Sequence, residues 1–172
     1  ELVSASGTSI PADGLIEIVT LDESGNGTVK TDLPMGGYYV KELATDEHYI
    51  LSDAKYPVTF EYAGQETAKV QLAVNDGEAI ENHLIYGSVS GKKVDENGEP
   101  LGGALIGLFK YNDTEFTKEN ALMTVTSKED GSFSFEQIPF GIWYAREIEQ
   151  PTGFVLNETV YQVNIAENEQ VV

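Results

Sequence analysis

The strongest constraint on this chain is that it repeats itself. Pro139-Phe140-Gly141-Ile142-Trp143-Tyr144-Ala145-Arg146-Glu147 matches Pro34-Met35-Gly36-Gly37-Tyr38-Tyr39-Val40-Lys41-Glu42 at an offset of 105 residues. The offset continues without a gap through Phe154 and Tyr49, Leu156 and Leu51, Tyr161 and Tyr56, and Val163 and Val58. Upstream it changes by one in a hairpin turn, Asp130-Gly131 in one copy and Asn26-Gly27 in the other. A period near 105 in 172 residues leaves neither copy whole. The break falls near Tyr86-Gly87. Residues 1–86 read as the C-terminal part of a first module whose first strands are missing, and 87–172 as the N-terminal part of a second whose last strand is missing. Asn82 to Gly87 is short, partly apolar and free of Gly/Ser or Pro richness, which favours a stiff junction over a hinge.

Strand signals dominate both copies. Leu15 to Leu21, Thr28 to Lys30, Tyr38 to Leu43, Val58 to Tyr62 and Ala68 to Val74 are β-branched or aromatic runs bounded by turn residues. Ser88 to Val94, Ala104 to Tyr111, Leu122 to Ser127, Ser132 to Phe135, Ile142 to Ile148 and Val160 to Ile165 behave likewise. Asp95-Glu96-Asn97-Gly98 and Glu129-Asp130-Gly131 punctuate them. Helical periodicity is weak, with room for one helical turn over Thr114 to Asn120. The expected fold is all-β: two tandem β-sandwich modules of short strands.

A formal charge of −19 argues against nucleic acid and anionic membrane surfaces, which need basic patches. No run approaches the length of a membrane span, so membrane insertion is not expected. Cysteine is absent, which excludes disulfides and thiolate chemistry; an extracellular version needs another route to rigidity.

The oddity lies in the repeated acid. Alternate strand residues share a face, so Glu147 falls with Trp143 and Ala145, and Glu42 with Tyr38 and Val40. A strand-end glutamate that simply emerges into water is the bland reading. Burying an unpaired carboxylate costs several kcal/mol, and two copies with the same turn, aromatics and spacing argue for a role.

The second copy opens with Gly87-Ser88-Val89-Ser90-Gly91-Lys92-Lys93-Val94-Asp95, then carries the Pro-x-Gly-x-x-Tyr-x-x-Glu turn and Glu147-x-x-x-Pro151-x-Gly153-Phe154. Over nearly the whole chain this resembles the CnaB-type (collagen-adhesin B, SpaA-like, prealbumin-like) domains of Gram-positive surface adhesins and pilins. The resemblance implies a transthyretin-like variant of the immunoglobulin-type sandwich, often strung in tandem as a stalk. It also implies an intramolecular isopeptide bond between a first-strand lysine and a last-strand asparagine, promoted by a glutamate.

On that resemblance Lys93 matches the lysine and Glu147 the acid of the second module; Glu42 matches the acid and Asn82 the asparagine of the first. Lys93 shares parity with Val89 and Gly91 and points inward, Lys92 outward. Asp46 and His48 stand where the pattern has Pro151 and Gly153, so the first-module loop departs in shape. Burial favours the uncharged forms of an amine and a carboxylic acid, as a nucleophile and a proton shuttle require. The reaction is single-turnover self-modification, not enzymatic turnover. A crosslink closing a loop of about a hundred residues contributes roughly 4–5 kcal/mol. The offset puts the first module's lysine before residue 1 and the second module's asparagine beyond Val172; Asn164 and Asn168 come too early. Neither crosslink is therefore expected within this stretch, and open sheet edges are expected to invite another copy.

Other constellations carry less. Asp22 to Gly27 opens like a calcium loop, but Leu33 stands where the bidentate acid belongs, so a hairpin turn is expected. His48 and His83 show no metal spacing, and no metal or cofactor is expected. Tyr39 and Tyr144 offer aromatic surface, read first as packing. The expected role is a structural stalk or pilus backbone of a Gram-positive surface protein, extracellular and either cell-wall anchored or secreted, with neighbouring modules of the same protein as partners. A ligand-binding adhesin module for a host or cell-surface protein or glycan, and an accessory domain of a secreted enzyme, are the alternatives.

Overall fold

The computed structural model describes residues 2–3, 7, 9–66 and 70–172. Its contacts divide the chain into two compact units, Glu1–Leu43 with Ser52–Glu81, and Ala44–Leu51 with Asn82–Val172. The all-β architecture expected from the sequence is what the chain adopts.

In the first unit, β1 (Leu2–Val3) pairs antiparallel with β2 (Ser9–Ile10), and β3 (Gly36–Lys41) with β4 (Lys55–Phe60). The β3–β4 register runs from Gly36 opposite Phe60 to Lys41 opposite Lys55. The expected strands at Leu15 to Leu21 and Thr28 to Lys30 do not form. Strand-type sequence becomes a strand only when a neighbour takes its backbone groups. Here the Glu17 carboxylate accepts the N–H groups of Lys30 and Thr31 instead, and Leu15, Ile18 and Leu21 stay exposed. The hydrogen bonds from Thr31 hold the Glu17 carboxyl below its ordinary range. Residues 68–69 of the expected Ala68 to Val74 strand lie outside the described residues, and 70–73 are not a strand. Val74–Gly77 is a 3-10 turn, with Asn75 and Asp76 in the left-handed region. Asp22 to Gly27 is a hairpin turn: Asp22 N–H donates to the Asn26 carbonyl, and Asp22 Oδ1 caps Ser24 and Asn26.

All six strands expected in the second module form. They are β5 (Tyr86–Lys92), β6 (Leu105–Lys110), β7 (Met123–Thr126), β8 (Ser132–Pro139), β9 (Gly141–Glu149) and β10 (Tyr161–Ile165). One sheet has the order β10-β9-β6-β7, all antiparallel; β5 pairs with β8. Along the other edge of β5 the chain end runs parallel. Ser88 N–H donates to Gln170, Val172 N–H to Ser88, and Ser90 N–H to Val172.

Every fully buried hydrophobic residue described belongs to this unit. Val89, Phe135 and Ile138 of the β5–β8 pair pack with Ile106, Leu108, Ala145, Val163 and Ile165 of the four-stranded sheet. The opposite face of that sheet has its own cover. Phe109 is fully buried with the Phe116 ring edge-on at 5.0 Å, and the Arg146 guanidinium lies 4.8 Å from the Phe116 ring centre. Phe116 sits in the stretch expected to hold a helical turn, of which only a turn at Thr117 to Ala121 forms. Tyr144 packs its ring on Tyr111 at 5.4 Å, in line with the packing role expected of it.

Residues 44–51, first-copy in sequence, belong to the second unit by contact. Tyr49 bridges to Leu84, Ile50 N–H donates to His83, and Ile85 N–H donates to His48. His48 is less isolated than its sequence suggested: Nδ1 lies 2.5 Å from Asp46 Oδ1, with the Phe140 ring 5.1 Å away. Hydrogen bonds from His48 hold the Asp46 carboxyl below its ordinary range.

Candidate functional site

The site begins where β5 ends. Lys93 continues the inward parity of Val89 and Gly91, while Lys92 is exposed. Its backbone is gripped on both sides: Lys93 N–H donates to Gly131 and its carbonyl accepts from Leu101. Gly131 has φ +76, and a Cβ there would stand 2.3 Å from the Lys93 carbonyl oxygen. No other residue fits without moving the lysine. Gly131→Ala is accordingly expected to destabilise the second unit by about 1–3 kcal/mol, read from urea unfolding.

Two turns flank this grip. Asp95 Oδ1 accepts from the N–H groups of Asn97 and Glu99, and Asp130 Oδ1 from the N–H and hydroxyl of Ser132. These bonds, the Glu99 N–H foremost for Asp95 and the Ser132 hydroxyl foremost for Asp130, hold both carboxyls below the ordinary aspartate range. A carboxyl lowered on folding stabilises the fold above its unfolded value, and that stability is lost as pH falls through the folded value. The turns are therefore expected to loosen in acid, not in base. Amide exchange at Ser132 measured against pH tests this, and Asp130→Asn should flatten the profile.

The acid comes from β9. That strand alternates as expected, with Ala145 and Glu147 each 6% exposed on the inner face. Glu147 Oε2 lies 3.6 Å from Lys93 Nζ, with the side chains 4% and 18% exposed. Oε2 also accepts the Asn157 N–H at 2.8 Å. Oε1 is buried without a hydrogen-bond partner among the described residues. The same is true of Arg146 Nε on the outer face, whose Nη2 pairs with Glu158 at 3.3 Å.

Glu42 is half-buried at the end of β3, and its Oε2 accepts the Ser52 N–H at 3.0 Å. Asn82 is exposed and donates through Nδ2 to Thr45 Oγ1 at 2.9 Å. Glu42 belongs to the first unit and Asn82 to the second.

Two features escaped the sequence reading, and both recur at the offset of 105. One is the backbone N–H ten residues after each acid. The other latches the turn before it: Trp143 Nε1 donates to the Pro139 carbonyl at 2.9 Å, and the Tyr38 hydroxyl donates to the Pro34 carbonyl. Desolvation pushes the Tyr38 hydroxyl up, so it stays a donor across the ordinary pH range. Different aromatic heads make one contact, so the signal was the position of a polar-tipped aromatic four residues after the proline. Tyr38→Phe, which removes the donor alone, is expected to cost the first unit about 1 kcal/mol in urea unfolding.

A family model described as SpaA, prealbumin-like fold domain, matches residues 1–76 and 87–172. A search of curated proteins returns no match. Among solved structures, the TIE protein of Bacillus anthracis is 23% identical with a TM-score of 0.64, over 90% of this chain and 26% of that one. BcpA, the major pilin subunit of Bacillus cereus, is 21% identical at a TM-score of 0.46, over 77% and 39%. A C-terminal fragment of the pilus adhesin SpaC from Lactobacillus rhamnosus GG is 18% identical at 0.48, over 95% and 79%. The chain thus spans about a quarter of the TIE protein chain, with which it shares a fold.

Proposed function

Because the chain belongs to the SpaA prealbumin-like domain family, we propose that it is a structural stalk or backbone module of a Gram-positive cell-surface adhesin or pilus protein, stabilised by autocatalytic Lys–Asn isopeptide bonds. One observation carries the reading: a buried carboxyl with one unpaired oxygen, held 3.6 Å from an inward lysine. Such a pair is costly to bury for stability alone. It suits an amine that attacks a carboxamide beside an acid that moves the protons.

In this reading Lys93 is the nucleophile and Glu147 the promoting acid of the second module, with its asparagine downstream of Val172. Glu42 is the acid and Asn82 the carboxamide of the first, whose lysine lies upstream of residue 1. Each module is thus shared between this stretch and its neighbours, which are its first partners. The location is extracellular, on the cell wall or secreted. Among the described residues no helix is long and apolar enough to cross a membrane; that statement does not bear on β-barrels.

Mass spectrometry tests the assignment in two ways. Peptides from the full-length protein should contain Lys93 joined to a downstream asparagine with loss of one ammonia. The isolated 172-residue chain should keep its full sequence mass. Ammonia loss within the isolated chain, or a free Lys93 in the full-length protein, overturns the assignment.

A further inference from the structure

The acid's two oxygens are not equivalent. In both copies Oε2 accepts a backbone N–H ten residues downstream, from Asn157 at 2.8 Å and from Ser52 at 3.0 Å. The residue types at those positions share a property. Asn157 Oδ1 accepts the Thr159 N–H at 3.0 Å, and Ser52 Oγ accepts the Ala54 N–H at 3.2 Å. Each side chain thus caps its own turn two residues on, which fixes the loop and aims its N–H back at the acid. In the second unit Oε1 of the same carboxyl is buried with no partner among the described residues.

From this geometry we infer that the Asn157 N–H, and Ser52 N–H in the other copy, are positioning groups that decide which carboxyl oxygen carries the proton during crosslinking. The inference rests on the crosslinking reading above and assigns a division of labour within it. A protonated carboxyl has one O–H donor and one accepting oxygen. An N–H already pointing at Oε2 fills one of its two lone pairs and lowers its basicity, so the resting proton favours Oε1 while the second lone pair of Oε2 stays free to take a proton in passing. The acid proton therefore sits on Oε1, the atom still without a partner.

The steps then balance. The lone pair of Lys93 Nζ attacks the carboxamide carbon and a C–N bond forms. Oε1–H passes its proton to the carboxamide oxygen, while Oε2, the oxygen 3.6 Å from Nζ, takes one from the attacking nitrogen. On collapse the carbon–NH2 bond breaks, Oε2 returns its proton to the departing nitrogen as ammonia, and the oxygen's proton goes back to Oε1. Glu147 ends as it began.

The test follows crosslinking in the full-length protein by mass, with time, after refolding. Replacing Asn157 by its α-hydroxy acid turns the N–H into an ester oxygen and keeps the side chain. The rate is expected to fall about ten- to a hundredfold while the final yield stays complete. Asn157→Ser, which copies the other module, should react at the unmodified rate. A merely structural role is separated by melting the same replacements in a Lys93→Ala background, where no crosslink forms. Positioning predicts that the rate falls further than the melting loss there accounts for; a rate loss no larger than that overturns it. If the ester reacts as fast as the unmodified protein while Glu147→Gln fails to crosslink, the clamp is wrong and the acid's role stands. If Glu147→Gln crosslinks normally, the parent reading itself falls.

Discussion

Lys93→Met is expected to destabilise the second unit by about 1–3 kcal/mol, because it leaves the buried Glu147 carboxyl facing a thioether in place of the amine it pairs with. The Glu147 side chain is 4% exposed, so water cannot take over the lysine's role. Its one hydrogen bond, from Asn157, reaches Oε2 only, and Oε1 has no partner among the described residues. The methionine fills much of the lysine's volume, so little of the loss is cavity. Adding Glu147→Leu removes the unpaired carboxyl as well, and the double variant is expected within about 1 kcal/mol of the starting chain, since replacing both partners of a buried polar pair by apolar groups of similar shape is often nearly neutral. Urea unfolding of the 172-residue chain measures all three. A neutral Lys93→Met would mean the pair contributes nothing to the fold, and one leg of the site would be gone.

How far the sequence revealed this site depends on the link concerned. The inward aim of Lys93 and Glu147 followed from strand parity alone, because a period of two leaves no freedom once one neighbour is placed. Both strands lie in a sandwich that satisfies their backbones, so parity survived into the fold. Leu15 to Leu21 shows the converse: its composition is strand-like, yet Leu15, Ile18 and Leu21 stay exposed. Propensity records how well a residue suits a pleated, half-buried surface and cannot supply the partner strand. The N–H clamp was invisible for another reason. It uses backbone, which every residue but proline has, and only the shared turn-capping habit of Ser52 and Asn157 betrays it. The place of residues 44–51 with the second unit was hidden because repeats describe ancestry of sequence, whereas units are set by contacts.

The same logic makes the two copies answer differently to one substitution. Ile138→Ala is expected to cost the second unit about 2–5 kcal/mol, the range for a large aliphatic removed from a closed core. Ile138 is fully buried, packed in the cluster of Val89, Ile106, Leu108, Phe135, Ala145, Val163 and Ile165. The space it leaves has little freedom to collapse. Gly87, opposite Ile138 across the β5–β8 pair, is already so tight that an added Cβ would meet Ile165 and the Gln170 carbonyl at 2.8 Å. Leu33 occupies the equivalent position at the offset of 105 and is only half-buried. No residue described in its unit is fully buried. Leu33→Ala removes less area from contact and leaves no sealed cavity, so about 1 kcal/mol is expected. Hydrogen exchange resolved by segment reads the two units separately: Ile138→Ala should speed exchange across β5 to β10, and Leu33→Ala should change little anywhere. Equal costs would show that the first unit closes a core in solution that its described residues do not form.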